Sequence, residues 1–151
     1  MPKTINFYGR KMQCFEFSNF YRAPIVVDGV KWKTTEHYYQ AMKFKGEDLH
    51  VEAVRLAPSP KDAANIGRDR NRPMRKTWEE EKDDVMFEAL VCKFTQHENL
   101  KQVLLDTGDA ILVEHTENDP YWGDGGDGSG KNMLGVLLMA VRLGLVEGDI
   151  E

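Results

Sequence analysis

A glycine-rich segment at residues 114–135 places the strongest constraint on how this chain folds. It reads EHTENDPYWGDGGDGSGKNMLG, and its six glycines favour an irregular loop directly before an apolar helix. Such a loop lets backbone approach a ligand closely, and the start of the following helix adds a partial positive charge. Tyr121 and Trp122 are suited to stacking on a flat ring. The segment therefore predicts a nucleotide-like ligand with a base and phosphates; a long connecting turn is the alternative.

Composition predicts one soluble globular domain over residues 1–151. Of the 151 residues, 41% are hydrophobic and 30% are charged, which is ordinary for such a domain. The formal net charge of −5 gives no general attraction to nucleic acid or membrane, so any contact with nucleic acid would need a local basic patch. The sequence shows neither a signal peptide nor a run of transmembrane length, which predicts a cytoplasmic protein. It does not indicate the oligomeric state.

Hydrophobic periodicity and turn residues predict an α+β fold that is predominantly helical, with a few short strands. Strands are predicted at 5–8, 24–28 and 110–115, and Asp28-Gly29 predicts a turn between the second of these and Lys31–Lys33. Helices are predicted at 35–44, 47–56, 59–67, 77–97, 98–106 and 132–146. Ser59 and Pro60 suit the start of the third helix, and Thr77 begins a capping-box pattern before the fourth.

Two short motifs in the glycine-rich segment match by letter only. Residues 125–132 differ from a P-loop at the position that binds magnesium, which is Asn132 here, and the predicted strand ends about nine residues before Gly125. Residues 123–128 read G-x-G-x-x-G, but no βαβ unit surrounds them. Neither a P-loop nor a Rossmann site is therefore expected.

One face of the first predicted helix collects three reactive or polar side chains. Glu36, Gln40 and Lys43 have i, i+4, i+7 spacing, and the Lys43 ammonium reaches back toward the other two. Glu36 lies in the first turn, where the helix dipole favours the ionised carboxylate. Lys43 would be a salt-bridge partner, or a nucleophile if burial makes it partly neutral. An ordinary solvated helix with acid early and base late is the alternative.

Two further features are weaker candidates for a binding site. The basic run Gly67–Trp78 contains five cationic residues and fits a phosphate or pyrophosphate as well as it fits a solvated loop. Trp78, at a helix start, is either a core residue or a stacking surface. The four histidines show no ligand spacing with cysteine, so a structural zinc site is not expected.

The chain resembles the NADAR family over nearly its whole length, from about Ile5 to Val146. The matching blocks follow in family order: FSNFYRAPIVVDG (17–29), W-x-x-x-EHYYQAMKF (32–44), AANIGRDRNRPMRKTW (63–78), VMFEALVCKF (85–94) and LVEHTENDPYWGDGGDGSGKNMLGVLLMAVR (112–142). The last block is long and idiosyncratic, so this resemblance is more specific than a likeness of fold.

The resemblance implies hydrolysis of the N-glycosidic bond between a ribosyl C1 and a nitrogen heterocycle. A carboxylate, an amine and a departing base suffice for this reaction, so neither a cofactor nor a metal is expected. Some family members remove ADP-ribose from guanine bases of nucleic acid, and others hydrolyse ribosylaminopyrimidine phosphate intermediates of riboflavin biosynthesis. We favour the first substrate, with ADP-ribosylated DNA or RNA as the carrier, because the arginine cluster suits a pyrophosphate. A non-catalytic module that binds ADP-ribose or NAD is an alternative of another class.

The resemblance also implies which residues form the site. The active-site residues that it carries over are Glu36 and Lys43, then Asp119, Tyr121, Trp122 and Gly123 from a D-x-Y-W-G motif, and finally Asn19, Arg68 and Asn132 as substrate-binding residues. Lys43 is expected to attack C1 or the ring-opened aldehyde, Glu36 to move protons, and Asp119 to hydrogen-bond the base or ribose. Gln40 and Trp78 are expected to contact substrate, and the amides of Gly123–Gly130 to hold phosphates.

Overall fold

The computed structural model describes residues 2–151 and confirms a predominantly helical α+β fold. The strands are β1 (Thr4–Phe7), β2 (Ile25–Val27), β3 (Val30–Trp32) and β4 (Ile111–Glu114). The helices are α1 (Thr35–Met42), α2 (Asp48–Arg55), α3 (Pro60–Gly67), α4 (Trp78–Gln96), α5 (Glu98–Asp106) and α6 (Met133–Glu147), and Phe15–Phe17 form a 3-10 helix. The chain divides into two compact units: the middle unit, Arg22–Lys93, and the outer unit, the residues up to Tyr21 together with Phe94–Glu151.

The middle unit begins with the predicted hairpin. Strands β2 and β3 pair antiparallel, with Ile25 opposite Trp32. Asp28 and Gly29 have φ of 50° and 82°, so both turn residues are left-handed, as a two-residue turn of type I′ requires. Asparagine, aspartate and glycine are the residues that adopt this conformation at least cost, so the Asp-Gly pair fixes the register of the hairpin.

Helices α1, α2 and α3 pack on one another in the middle unit, and hydroxyl side chains cap the starts of α1 and α3. The Thr34 hydroxyl accepts a hydrogen bond from the His37 amide at 3.1 Å at the start of α1. Ser59 does the same for Asp62 at the start of α3, where Pro60 takes the first helical position. The core of the unit buries residues from the hairpin and from these helices, including Ile25, Trp32, Ala41, Phe44, Val54 and Ala63.

His37 is fully buried in this core and is held in its neutral form. Its Nε2 donates to the Ala57 carbonyl at 3.0 Å, and its Nδ1 lies 2.8 Å from the Thr34 hydroxyl. Burial lowers the pKa of His37 below its ordinary value, and the positive charges of Lys33 and Arg22 lower it further, although the bond to Ala57 acts in the opposite direction.

We expect this histidine to destabilise the fold in mild acid. Below about pH 6.5 a histidine in the unfolded chain binds a proton, whereas burial disfavours proton binding by His37 in the folded chain. The free energy of unfolding therefore falls as pH falls, by up to about 1.4 kcal/mol per pH unit. Urea unfolding between pH 7.5 and 5 checks this. The His37→Gln variant should lose that part of the pH dependence, whereas His97→Gln should keep it; equal slopes in all three proteins would contradict the assignment.

The outer unit is built on a parallel pair of strands covered by a helix. Strands β1 and β4 pair with Thr4 opposite Ile111, and α6 packs against β4. Phe7 and Phe17 meet edge to face at 5.7 Å between ring centroids, and both are fully buried. Arg142 of α6 donates to the Thr107 hydroxyl at 2.8 Å. Within residues 2–151, no helix has the length and apolar character needed to cross a bilayer.

Candidate active site

The face of α1 predicted from spacing forms a buried polar pair in the middle unit. Gln40 Nε2 donates to Glu36 Oε2 at 2.6 Å, and the two side chains are 3% and 7% exposed. Gln40 Oε1 is also buried, and no described residue offers it a hydrogen bond. An unsatisfied buried carbonyl oxygen costs about 1–3 kcal/mol, so native proteins keep few of them, and each calls for an explanation such as a catalytic role. The pair is therefore a candidate contact for a ligand donor.

Lys43 lies at the end of the same face, one residue after α1. Its Nζ lies 3.3 Å from the Gly67 carbonyl and 5.9 Å from the centre of the Tyr39 ring. Burial lowers the pKa of Lys43, because a charged ammonium loses hydration there. An amine with a lowered pKa is more often neutral, which is the nucleophilic form.

Charged neighbours of Lys43 adjust its pKa in both directions. After burial, the carboxylate of Glu36 raises the pKa, and the positive charges of Arg68 and Lys82 lower it. Glu79 raises it by a smaller amount. The cluster thus brings the predicted residues Glu36, Gln40, Lys43 and Arg68 together in the middle unit.

Gly67 is a member of this cluster that sequence reasoning treated only as a helix end. A Cβ at Gly67 would lie 2.0 Å from Gln40 Oε1 and 2.7 Å from Gln40 Cδ. No side chain fits there without moving Gln40, so glycine is required for packing and not for an unusual φ. The contact joins residues 27 positions apart, which local sequence patterns cannot show.

We expect Gly67→Ala to displace Gln40 from Glu36. Overpacking of this kind should lower the free energy of unfolding by about 1–3 kcal/mol and reduce turnover. Gly9→Ala is the matched control, because a Cβ there meets no atom within 4 Å and φ is not positive. Urea unfolding and a turnover assay on both variants check the prediction, and wild-type behaviour of Gly67→Ala in both would contradict it.

The basic run after α3 contains two half-buried arginines and three exposed cations. Arg72 is half-buried, with Nη1 at 3.1 Å from His50 Nδ1 and Nε at 3.4 Å from an Asp69 oxygen. Arg75 is likewise half-buried and lies 3.5 Å from Glu81. The members that remain exposed are Arg68, Arg70 and Lys76. This part of the run is the most accessible to an anionic ligand.

The predicted stacking role of Trp78 does not fit the structure. Trp78 is 3% exposed, and its ring packs at 5.0 Å from Tyr39 and under the Arg75 guanidinium at 5.4 Å. The alternative of a core residue is the one observed. Trp78 supports Tyr39, whose ring lies next to Lys43.

Asp124 organises the glycine-rich segment of the outer unit. Its side chain accepts hydrogen bonds from the Thr116 and Gly126 amides at 3.1 and 2.8 Å, and its other oxygen lies 2.8 Å from His115 Nδ1. Burial raises the pKa of Asp124, but these hydrogen bonds together bring it below the ordinary value. Sequence reasoning missed this residue, although its position between two glycines, where a carboxylate can reach nearby amides, was a usable signal.

Many amides of this segment are already committed, contrary to the expected phosphate cradle. The amides of Asp124 and Gly130 donate to the Glu114 and Asp124 carbonyls, and the Ser129 amide donates to the Asp127 carboxylate. Carboxylate side chains therefore accept from some of the amides that a phosphate would need, and their negative charge would repel a phosphate. Gly123 and Gly130 are required for packing, because a Cβ at either position would lie within 2.7 Å of other atoms.

The D-x-Y-W-G motif forms a local turn. One oxygen of Asp119 accepts from both the Tyr121 and the Trp122 amides at 2.9 Å. The two aromatic rings are half-buried and meet edge to face at 5.0 Å, and Lys131 Nζ lies 5.5 Å from the centre of the Tyr121 ring. Asp119 thus fixes the direction of the aromatic pair.

The two asparagines predicted to bind substrate both lie in the outer unit. Asn132, in the left-handed conformation at φ 52°, uses both polar atoms of its side chain on β4: Oδ1 accepts from the Glu114 amide and Nδ2 donates to the Leu112 carbonyl, each at 2.9 Å. It positions the start of α6. Asn19 follows the 3-10 helix and is 7% exposed. Among residues 2–151, no group of three or more His, Cys, Asp or Glu side chains is placed to hold a metal ion.

Comparison with known proteins identifies relatives along nearly the whole chain. The chain is 55% identical to N-glycosidase YbiA of Escherichia coli (strain K12), over 91% of this chain and 86% of that protein. The NMR structure of the E. coli protein YbiA matches it with a TM-score of 0.89 at 53% identity, covering 100% of this chain and 90% of that one. The chloroplastic riboflavin biosynthesis protein PYRR of Zea mays is 42% identical over 89% of this chain, which is 24% of that protein.

These similarities support a hydrolase that acts on N-glycosyl bonds. The NADAR domain matches residues 6–146, which include both the α1 face and the glycine-rich segment. Because that match and the identity to a named N-glycosidase each cover most of the chain, the chain belongs to the NADAR family.

Proposed function

We propose that this protein hydrolyses the N-glycosidic bond between ADP-ribose and guanine bases of nucleic acid, with Lys43 as nucleophile and Glu36 as proton carrier. The observation that carries the proposal is a half-buried amine of lowered pKa on the same helix face as the buried Glu36–Gln40 pair. A solvated helix face, the ordinary alternative, would have left these side chains exposed.

The chemistry balances with these two residues and water. The neutral Lys43 amine attacks the ribosyl C1 while the C1–N bond breaks. The proton that the amine loses passes to Glu36 and from there to the departing guanine nitrogen. The sugar ring then opens to an imine on Lys43, and water adds to the imine carbon, which releases ADP-ribose and restores the amine.

The remaining assignments concern binding. Gln40 Oε1 accepts a hydrogen bond from the ligand, and exposed Arg68 and Arg70 meet the pyrophosphate. In the outer unit, Asp119 contacts the base or ribose, and Tyr121 and Trp122 supply a stacking surface. Asn19 remains a proposed substrate contact. Asn132 also remains a proposed substrate contact, and it joins the start of α6 to β4.

A second candidate substrate is a ribosylaminopyrimidine phosphate of riboflavin biosynthesis. The observation that favours it is the similarity to a maize protein named for that pathway. The same C1–N cleavage applies to it, because both substrates join a ribosyl C1 to nitrogen of a flat heterocycle. The exposed arginines favour ADP-ribose, since two phosphates offer more acceptors than one.

A mass-spectrometric turnover assay tests the proposal. Wild-type protein should release ADP-ribose and intact guanine from an oligonucleotide that carries ADP-ribosyl-guanine, and Lys43→Ala should not. Release only from the ribosylaminopyrimidine phosphate would reject the guanine substrate and support the second candidate. If neither substrate is cleaved while ADP-ribose binds equally to wild type and Lys43→Ala, the protein is a binding module instead.

Borohydride trapping tests the imine directly. We expect substrate plus borohydride to leave a reduced sugar adduct on the peptide that contains Lys43, because borohydride converts the imine to a stable amine. Peptide mass spectrometry locates the adduct, and Lys43→Ala is the control. Turnover without any adduct under saturating borohydride would reject the covalent step and leave Glu36-assisted attack by water.

A further inference from the structure

The middle unit carries a basic groove that plays no part in the proposed chemistry. This groove has a volume of about 600 Å³ and is lined by Arg22, Pro24, Lys31, Lys33, Arg55 and Leu56. Four of these six residues are cationic, although the chain as a whole has a net charge of −5. Its lining includes none of the residues assigned to catalysis, which lie on the 36–40–43 face of α1 and beside Gly67.

Two of the four cations are held in place and two are exposed. Arg55 pairs with Glu52 through two bonds of 2.7 Å, and Lys33 Nζ donates to the Ala57 carbonyl at 2.9 Å. Arg22 and Lys31 are exposed. Within the described part of the chain, Arg22, Lys31 and Lys33 form no salt bridge with an acidic residue. Most of the positive charge of the groove is therefore not neutralised.

The charge of Arg22 and Lys33 also acts on the core of the middle unit. Burial is the main cause of the lowered pKa of His37, and these two cations lower it further. The other walls are Pro24 and Leu56, and the lining contains no aromatic ring to stack a base and no carboxylate to bind a ribose hydroxyl. The charged ends of its cations can meet phosphate, and the apolar remainder of the lining does not read the identity of a base.

We propose that the basic groove binds the phosphodiester backbone of the nucleic acid strand whose modified guanine enters the active site. This inference rests on the proposed function, since it takes the strand to carry a modified guanine, and it adds a binding surface for that strand. An open groove with several cations suits a repeating polyanion better than one isolated phosphate, since each further phosphate contact releases a bound counterion from the strand.

The test measures binding separately from turnover. Fluorescence anisotropy gives the affinity of the protein for an unmodified single strand of about 20 nucleotides, the 20-mer, at a series of salt concentrations. A strand of this length has several more phosphates than one groove can contact. The variants are Arg22→Gln with Lys31→Gln, and the matched control is Lys61→Gln, an exposed lysine of α3 outside the groove. Circular dichroism confirms that each variant is folded.

We expect the double variant to lose affinity on the order of tenfold at 0.1 M salt and its salt slope to shrink by about 1.4, at roughly 0.7 per lost contact. Lys61→Gln should match the wild type. The proposal would be overturned if the double variant kept the wild-type affinity and salt slope. It would also be overturned if the groove bound ADP-ribose but not the 20-mer, or if the protein preferred anionic phosphatidylserine vesicles to the 20-mer.

The same assay separates this inference from the proposed function. If the wild type binds the 20-mer through Arg22 and Lys31 but releases no ADP-ribose from a modified strand, the groove is supported and the glycosidase substrate is rejected. If it cleaves modified guanine in a strand and as a free nucleotide at equal kcat/KM, and the double variant does the same, the groove is rejected and the glycosidase is supported.

Discussion

Replacing Lys43 by methionine is expected to lower kcat by on the order of 10³-fold or more, because the proposed reaction would lose its nucleophile. Methionine keeps the length and the apolar stem of the half-buried lysine, so the fold should survive. Lys45→Met is the matched control, since Lys45 lies two residues away and is exposed. Single-turnover kinetics on both variants check the prediction, and a Lys43→Met enzyme within tenfold of wild type would exclude a lysine nucleophile.

The pH profile gives this prediction a second readout. The proposed attack by Lys43 needs the neutral amine, so kcat should rise with pH through the pKa of Lys43, which burial lowers. The positive charge of Arg68 lowers that pKa further, so Arg68→Gln should move the rising limb to higher pH. The carboxylate of Glu79 raises the pKa, so Glu79→Gln should move the limb to lower pH. Shifts in the same direction for both variants would show that another group titrates.

Local patterns were sufficient for the elements and for one face of the site. The i, i+4, i+7 spacing predicted that Glu36, Gln40 and Lys43 share one helix face. In the structure α1 is a helix with a capped start, and Gln40 contacts Glu36. Asp28-Gly29 fixed a two-residue hairpin because few residues adopt two successive left-handed conformations. Every predicted helix and strand agrees with the structure within two residues at each end.

Contacts between distant positions could not be predicted in the same way. The fit of Gly67 against Gln40, the burial of Trp78 and the basic groove depend on segments that come together only in the folded unit. The glycine-rich segment shows the limit most clearly. Glycine count predicted free amides for phosphate, but which acceptors the amides meet depends on carboxylates that fold back on the same segment.

Asp124→Ala should lower the free energy of unfolding by about 3–4 kcal/mol, because it leaves the buried Thr116 amide and the Gly126 amide without their acceptor. Asp127 provides the control: it lies three residues along the same segment and accepts from Ser129, but it is exposed. Asp127→Ala should leave the urea midpoint near that of the wild type. Similar losses of stability in both variants would contradict the prediction, because they would show that the buried and the exposed carboxylate contribute equally.

The charge of Asp124 can be separated from its shape with Asp124→Asn. Asparagine still accepts from the two amides but cannot pair ionically with His115, so we expect a smaller loss than for alanine. The hydrogen bonds hold the pKa of Asp124 below its ordinary value, so the carboxylate stabilises the fold above about pH 3.8 and loses that effect as pH falls through its folded pKa. The stability gap between wild type and Asp124→Asn should therefore close in acid. Because the acceptor oxygen of Asp124 also sets the course of the chain toward α6, Asp124→Ala should lose turnover at neutral pH even where it remains folded, and Asp127→Ala should not.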